Sequence, residues 1–271
     1  MAKGLSLHIG LNSVDSKHYD GWDGKLKSCE KDAKDMNLIA TTQKFESTLL
    51  LGKKAIRENV INNIREVAEQ LDHGDIFFIS YSGHGGQLPD LNGDEPDGLD
   101  ETWCLYDGEL IDDELYELWS LFKDDVRILI TSDSCHSGSI VKGRVNFTTN
   151  IGQVQATPKF LDMGTAMATY LHNKEFYDTL MSKQKKTSDL IIKASVIQIS
   201  GCQDNQLSYD GNTNGFFTEA LKCVWNGGKF KGNYRTFHRK IQNALPSVQS
   251  PNFLTLGKEN KEFEQQKPFT I

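Results

Sequence analysis

Two stretches, DIFFISYSGHGG (Asp75–Gly86) and VRILITSDSCHSG (Val126–Gly138), decide the fold. Each opens on a near-continuous apolar run of strand length, Ile76 to Ile79 in the first and Ile128 to Ile130 in the second, as expected of strands covered on both faces of a parallel sheet. Each then breaks into polar residues flanked by glycine, Ser82 to Gly86 and Ser132 to Gly138. In an open parallel sheet the carboxyl ends of the strands are where ligands and reactive groups gather. These two tips bring one histidine, His84, and one cysteine, Cys135, 51 positions apart.

Outward from these strands, short β-rich segments alternate with longer helical ones. Leu5–Leu11 reads as a first strand, Lys27–Ala40 as a helix and Ser47–Leu51 as a second strand closed by Gly52. Ala55, Ile56, Val60, Ile64, Val67, Ala68 and Leu71 recur mostly at spacings of three and four, the period of an amphipathic helix ending near His73-Gly74. Asp112–Phe122 reads as a helix with acids in its first turn, where the helix dipole favours them. Val141–Lys159 reads as polar and irregular, and Ala166–Met181 as helical. Val196–Ser200 reads as a strand, Phe216–Trp225 and Tyr234–Ala244 as helices, and Asn252–Leu256 as a last strand. With no repeat, low-complexity tract or proline-rich linker, a single β/α domain over 1–271 with a mostly parallel sheet is the simplest architecture.

Composition excludes several classes. The 271 residues carry 30 Lys+Arg against 37 Asp+Glu, a net charge of −7, with no basic stripe, which argues against nucleic acid as a partner. No run of about 18 apolar residues occurs, so no membrane span is expected. The opening MAKGLSLHIGLNSVD lacks the basic and apolar regions of a secretory signal, so no such signal is expected, nor a recruitment segment before the first strand. The five cysteines are odd in number and without CxxC spacing, which points to reduced thiols in a cytoplasm rather than a disulfide or zinc framework.

A thiol is mostly protonated near neutrality and needs a base to act as nucleophile. His84 is the candidate base for Cys135, and the separation of about fifty residues fits a known thiol-protease arrangement. His136, adjacent to the cysteine, is the alternative. The glycines beside both residues let backbone N–H groups approach a developing oxyanion. Cys29, Cys104 and Cys223 read as small buried hydrophobes, and His8, His18, His73, His172 and His238 as solvated or locally bonded.

YSGHGG and DSCHSG together resemble the histidine and cysteine motifs of metacaspases and bacterial orthocaspases, within the caspase-like cysteine proteases. The resemblance extends to LHIGLN with the Cys29-Glu30-Lys31-Asp32-Ala33 segment, to ISGCQDNQLSYD (Ile199–Asp210) with Gly215-Phe216-Phe217-Thr218, and to the closing Asn252–Leu256 strand. It implies a caspase-like three-layer α/β/α sandwich with a mostly parallel central sheet. Residues 1–140 would correspond to the large subunit, 141–195 to a linker and 196–271 to the small subunit. It implies a cysteine endopeptidase with His84 and Cys135 as catalytic dyad, and Gly85 and Cys135 as oxyanion-hole donors. Asp32, Asp133, Ser82 and Cys29 would form the pocket for the residue before the cut bond (S1), two carboxylates favouring Arg or Lys there. Protein or peptide substrates, a monomeric state and no organic cofactor follow from the same likeness; an inactive scaffold or a calcium-responsive binding module are the rival readings.

The acidic loop Asp90–Glu101 has superficial EF-hand spacing, but Glu95 stands where that loop needs glycine and Pro96 follows. The family resemblance instead implies calcium held by Asp100, Asp112 and Asp113; its fourth ligand position falls at Ile140-Val141-Lys142, where there is no acid. The linker carries Lys142, Arg144, Lys159, Lys174, Lys183, Lys185, Lys186 and Lys193. Self-cleavage is expected at Lys183–Lys186 or Lys142–Arg144, within an exposed segment.

Overall fold

A computed structural model describes residues 2–93, 95–135, 145–149, 152–203 and 206–271. The central sheet contains β1 (Gly4–Gly10), β2 (Glu46–Leu51), β3 (Ile76–Ser82), β7 (Arg127–Asp133), β10 (Ser195–Ser200) and β12 (Asn252–Gly257), in the spatial order β12-β10-β7-β3-β1-β2. Every pairing is parallel except β10 with β12. Two three-stranded sheets flank it, one made of β4 (Gly85–Pro89), β5 (Leu99–Leu105) and β6 (Gly108–Ile111), the other of β8 (Val145–Thr149), β9 (Gly152–Pro158) and β11 (Tyr209–Asp210).

Helices cover both faces of the central sheet. Alternation along β3 sends Phe77, Ile79 and Tyr81 to one side and Ile76 and Phe78 to the other. The first set packs, with Ile128 and Ile130 of β7, against α2 (Arg57–Gln70) through Val60, Ile64 and Ala68 and against α3 (Asp112–Ser120) through Leu115, Leu118 and Trp119. The second set packs against α1 (Cys29–Thr42), α6 (Phe216–Trp225), α7 (Tyr234–Ala244) and α8 (Lys261–Gln265) through Met36, Phe217, Phe237 and Phe263. All seven residues of β3 are buried, as its apolar run required. The result is the three-layer α/β/α sandwich with a mostly parallel sheet expected from the sequence. Among the described residues no helix is long and apolar enough to cross a membrane.

Three expectations need correction. The polar stretch before Lys159 is not irregular: it forms the β8–β9 hairpin, with Val145 paired to Ala156 and Thr149 to Gly152. The helix expected over Ala166–Met181 is two helices, α4 (Met163–His172) and α5 (Lys174–Met181), parted at Asn173, whose Nδ2 donates to the His18 carbonyl at 2.8 Å and so anchors the break. The segment after His84 is not a simple acidic loop, because β4 and β5 pair from Gly85 opposite Trp103 to Pro89 opposite Leu99.

The helix that carries Asp32 is seated on β1 through a glycine. A Cβ at Gly10 would stand 2.5 Å from the Cys29 carbonyl oxygen and 2.8 Å from the Ala33 Cβ. Gly10→Ala should therefore lower unfolding free energy by about 1–3 kcal/mol, the usual cost of overpacking. Urea midpoints would show this, and an unchanged midpoint would mean that α1 is not held by this close approach.

Candidate active site

β3 and β7 are neighbours in parallel register, with Ser82 opposite Asp133. Alternation places Ser80 and Ser82, with Thr131 and Asp133, on the face covered by α1 and α6. Just beyond the strand ends stand His84 and Cys135, so the two residues singled out from the sequence do sit at adjacent tips. His136, the alternative base, and Lys142–Arg144 lie outside the described residues.

The His84 ring is fixed from two sides. Its Nε2 is 3.0 Å from the Gly24 carbonyl and its edge meets the Trp22 ring, centroid to centroid 4.6 Å. A carbonyl only accepts, so Nε2 carries the proton and Nδ1 keeps its lone pair; no partner for Nδ1 is found among the described residues. The histidine backbone is held as well, its carbonyl accepting from Tyr81 Oη at 2.6 Å and from the Cys104 N–H at 3.0 Å. Tyr81 in turn stacks on Trp103 at 4.6 Å. Burial pushes the His84 imidazole down to about 4, so it is neutral at pH 7.

Cys135 is fully buried. Its Sγ accepts from the Ser208 N–H at 2.5 Å and faces the Ser208 carbonyl at 3.2 Å. Burial, then the neighbouring Cys202 thiol, push the Cys135 thiol well above its ordinary value, outweighing the Ser208 N–H. The resting pair is therefore a neutral thiol and a neutral imidazole.

What fills the cleft is Lys159, with no exposed surface at all. Its ammonium lies 3.1 Å from Asp32 Oδ2, 3.1 Å from Asp133 Oδ2 and 3.0 Å from Ser82 Oγ. Its carbonyl oxygen accepts from the N–H groups of both Gly85 and Cys135, each at 3.1 Å, and its own N–H donates to the Ser208 carbonyl at 2.9 Å. The two carboxylates are anchored separately. Asp32 accepts from Ser82 Oγ at 2.8 Å, Asn214 Nδ2 at 2.8 Å and the Gly215 N–H at 3.1 Å. Asp133 accepts from Ser208 Oγ at 2.6 Å and Thr218 Oγ1 at 2.7 Å.

Burial, and then the like charge of Asp133, raise the Asp32 carboxyl against the pull of Lys159. Burial depresses the Lys159 ammonium, but Asp133, Cys29 and Asp32 more than reverse that and hold it well above the ordinary lysine value. Cys29 is buried at the same wall, its thiol pushed up by burial and eased by Lys159. Asp32, Asp133 and Ser82 thus surround one ammonium, and Cys29 lies close enough to feel its charge. Gly215 completes it: a Cβ there would overlap the Lys159 ammonium and Asp133.

Lys159, Ser208, Asn214 and Gly215 were not singled out as site residues. The sequence reading places Lys159 among exposed linker lysines, and its burial corrects that expectation. The preceding polar hairpin gives no apolar period that would signal a buried lysine. Of the remaining histidines, His8 is buried with Nδ1 2.8 Å from Ser80 Oγ, and His18 Nε2 is 2.7 Å from Tyr177 Oη.

The acids offered as calcium ligands divide. Asp112 stands with Glu95 and Glu101, one carboxylate oxygen from each lying within 4.8 Å of the others, the one such group among the described residues. Asp100 and Asp113 are outside it, and Asp113 Oδ2 accepts from Asn92 Nδ2 at 2.5 Å. Burial, then the charges of Glu101, Asp100, Asp113 and Glu95, push the Asp112 carboxyl well above its ordinary value, and its buried Oδ1 has no hydrogen-bond partner among the described residues. These acids line a cavity of about 540 Å³ that reaches Cys202 and Gln203.

The caspase domain family matches residues 14–268. Metacaspase-1 of Schizosaccharomyces pombe is 30% identical over 262 residues, covering 82% of this chain and 59% of that protein. Metacaspase-1A of Aspergillus terreus is 31% identical, covering 82% and 62%. The chain thus spans about three-fifths of the length of these relatives. The crystal structure of protein GSU0716 from Geobacter sulfurreducens is 51% identical, with a TM-score of 0.89 over 99% of this chain and 98% of that one. Caspase-1 from Spodoptera frugiperda shares the fold, with a TM-score of 0.55 at 12% identity over 93% and 86%.

The neutral burial of His84 carries a pH signature. Between its ordinary value of 6.5 and about 4 the unfolded chain binds a proton that the folded chain does not, so stability falls as pH drops through that window. The full contribution is on the order of 3 kcal/mol. Urea unfolding at pH 7.5 and 4.5 should show a larger loss for wild type than for His84→Gln; equal losses would mean that the ring is not buried neutral.

Proposed function

The chain belongs to the caspase domain family, and from that premise we propose that it is a cysteine endopeptidase cutting after Arg or Lys. The observation that carries this reading is the posture of Lys159. A cationic side chain sits between two carboxylates while its own carbonyl oxygen meets two N–H groups, one of them from the candidate nucleophile.

In this reading Cys135 attacks the carbonyl carbon and His84 Nδ1 takes the thiol proton, the Gly24 carbonyl having fixed the tautomer. The Gly85 and Cys135 N–H groups stabilise the oxyanion. His84 then returns the proton to the leaving amine, and water releases the acyl group from sulfur. Because the thiol is protonated at rest, proton transfer accompanies attack rather than preceding it. Asp32, Asp133 and Ser82, with Cys29 at the wall, select Arg or Lys, since a shorter or neutral side chain leaves buried carboxylates unpaired.

Calcium responsiveness belongs to the same proposal. Hard oxygen donors, with one buried carboxylate oxygen that has no partner among the described residues, fit Ca²⁺, and Glu95, Glu101 and Asp112 would hold it. When bound, the ion would neutralise an acid cluster attached to β5, the partner of the strand that leaves His84. Self-processing, a monomeric state and action in the cytoplasm complete the reading; five free cysteines fit a reducing compartment.

Fluorogenic Arg, Lys and Asp peptides, assayed with and without calcium, test it. Wild type should cleave the first two only, Cys135→Ala neither, and Asp133→Asn should lose about a hundredfold in kcat/KM, as when one partner of a buried charge pair is removed. Asp112→Asn should shift the calcium dependence while leaving peptide preference unchanged. Peptide binding without cleavage by wild type would favour an inactive scaffold instead.

A further inference from the structure

We propose that an apolar recess walled by Val14, Tyr19, Trp22 and Cys104 is the subsite for the second residue beyond the cut bond, and that it selects a leucine-sized apolar side chain there. This rests on the endopeptidase reading and adds what a substrate must carry on the far side of the bond. The register is set by Gly85. Its N–H donates to the Lys159 carbonyl oxygen at 3.1 Å, the place taken in that reading by the reacting carbonyl, and its own carbonyl accepts from the Leu161 N–H at 2.8 Å. Phe160 between them forms an isolated parallel bridge with Gly85. One glycine thus holds both the reacting carbonyl and the backbone two residues on. A peptide that enters the cleft and continues along Gly85 sets its own second residue where Leu161 stands.

At that place a side chain is enclosed. Leu161 has no exposed surface and packs in one cluster with Val14, Tyr19, Cys104 and Ala166, with Trp22 against it, whereas Phe160 is only half-buried. The four walls all precede Cys135 in the chain and are pinned without help from the segment they enclose. Tyr19 Oη donates to the Leu105 carbonyl at 2.7 Å, which satisfies its one polar side-chain atom. The Val14 N–H donates to the Asp23 carbonyl at 3.1 Å, the Trp22 N–H to the Tyr19 carbonyl at 2.9 Å and the Cys104 N–H to the His84 carbonyl at 3.0 Å. An apolar recess of this kind gains from burying hydrocarbon and loses from burying a charge, and a single methylene in one is worth about tenfold or more in kcat/KM. Selectivity therefore belongs to the second position beyond the bond rather than to the half-buried first.

The test uses the full chain, with calcium present, and internally quenched peptides that share one acyl half ending in Arg and one common tail. Directly beyond the bond they carry Gly-Leu, Gly-Gly, Gly-Asp or Leu-Gly. Wild type should favour Gly-Leu over Gly-Gly by about tenfold or more in kcat/KM, cleave Gly-Asp slowest, and treat Leu-Gly within about twofold of Gly-Gly. Val14→Phe, which fills the recess, should bring the ratio of Gly-Leu to Gly-Gly to within about twofold of one. Such a ratio, taken on one preparation, does not depend on its active fraction. Should melting curves show that Val14→Phe fails to fold, the wild-type series decides alone. Equal kcat/KM for Gly-Leu and Gly-Gly, an equal gain from leucine at the first position, or a folded Val14→Phe that keeps the wild-type ratio overturns this proposal by itself. Absence of cleavage of every peptide overturns the endopeptidase reading and this one with it.

Discussion

One ammonium held between two carboxylates, out of reach of water, organises the site. Asp32 comes from α1, Asp133 from the end of β7, and the serine that bonds both Asp32 and the ammonium from the end of β3, so the charge can be satisfied only when the sheet and both covering helices are in register. A buried ion group of this kind adds little net stability against an apolar substitute, but breaking it leaves an uncompensated charge at a cost of about 3–5 kcal/mol. Its value lies in specificity: it fixes where the two carboxylates stand before any other peptide reaches them.

The same dryness governs the reacting pair. Burial raises the thiol and lowers the imidazole, so both are neutral, and the charge separation familiar from exposed thiol–imidazole pairs is absent at rest. Reactivity then depends on a peptide carbonyl meeting the two N–H groups at the moment of attack. A cysteine kept protonated is also a poor target for stray oxidants, whose reaction requires thiolate.

Much of this was legible in the sequence because burial writes itself into apolar runs. β3 and β7 read as covered strands, and their glycine-flanked tips pointed to His84 and Cys135 without reference to any relative. The family likeness then supplied Asp32, Asp133, Ser82 and Cys29. The small sheet of β4, β5 and β6 was hidden because its strands are short and its opening Gly-Gly reads as a turn. The β8–β9 hairpin was hidden because its polar residues carry no period-two apolar signal. Lys159 followed from neither, since lysine is almost never fully buried unless paired, and its partners lie 127 and 26 positions earlier in the chain. The metal group was half legible: acids in the right neighbourhood, but with Glu95 and Glu101 beside Asp112 where Asp100 and Asp113 were expected.

The central sheet interleaves the two halves of the chain. β10, from beyond Lys159, pairs with β7 from before it along six residues, and Phe217 and Trp225 of α6 share one core with Met36 and Phe78. A molecule nicked between those halves would keep its hydrodynamic size, because strand pairing and a common apolar interior, not the peptide backbone, join the pieces. Only a denaturant would part them, so the two fragments are a single particle to everything in solution that judges by shape.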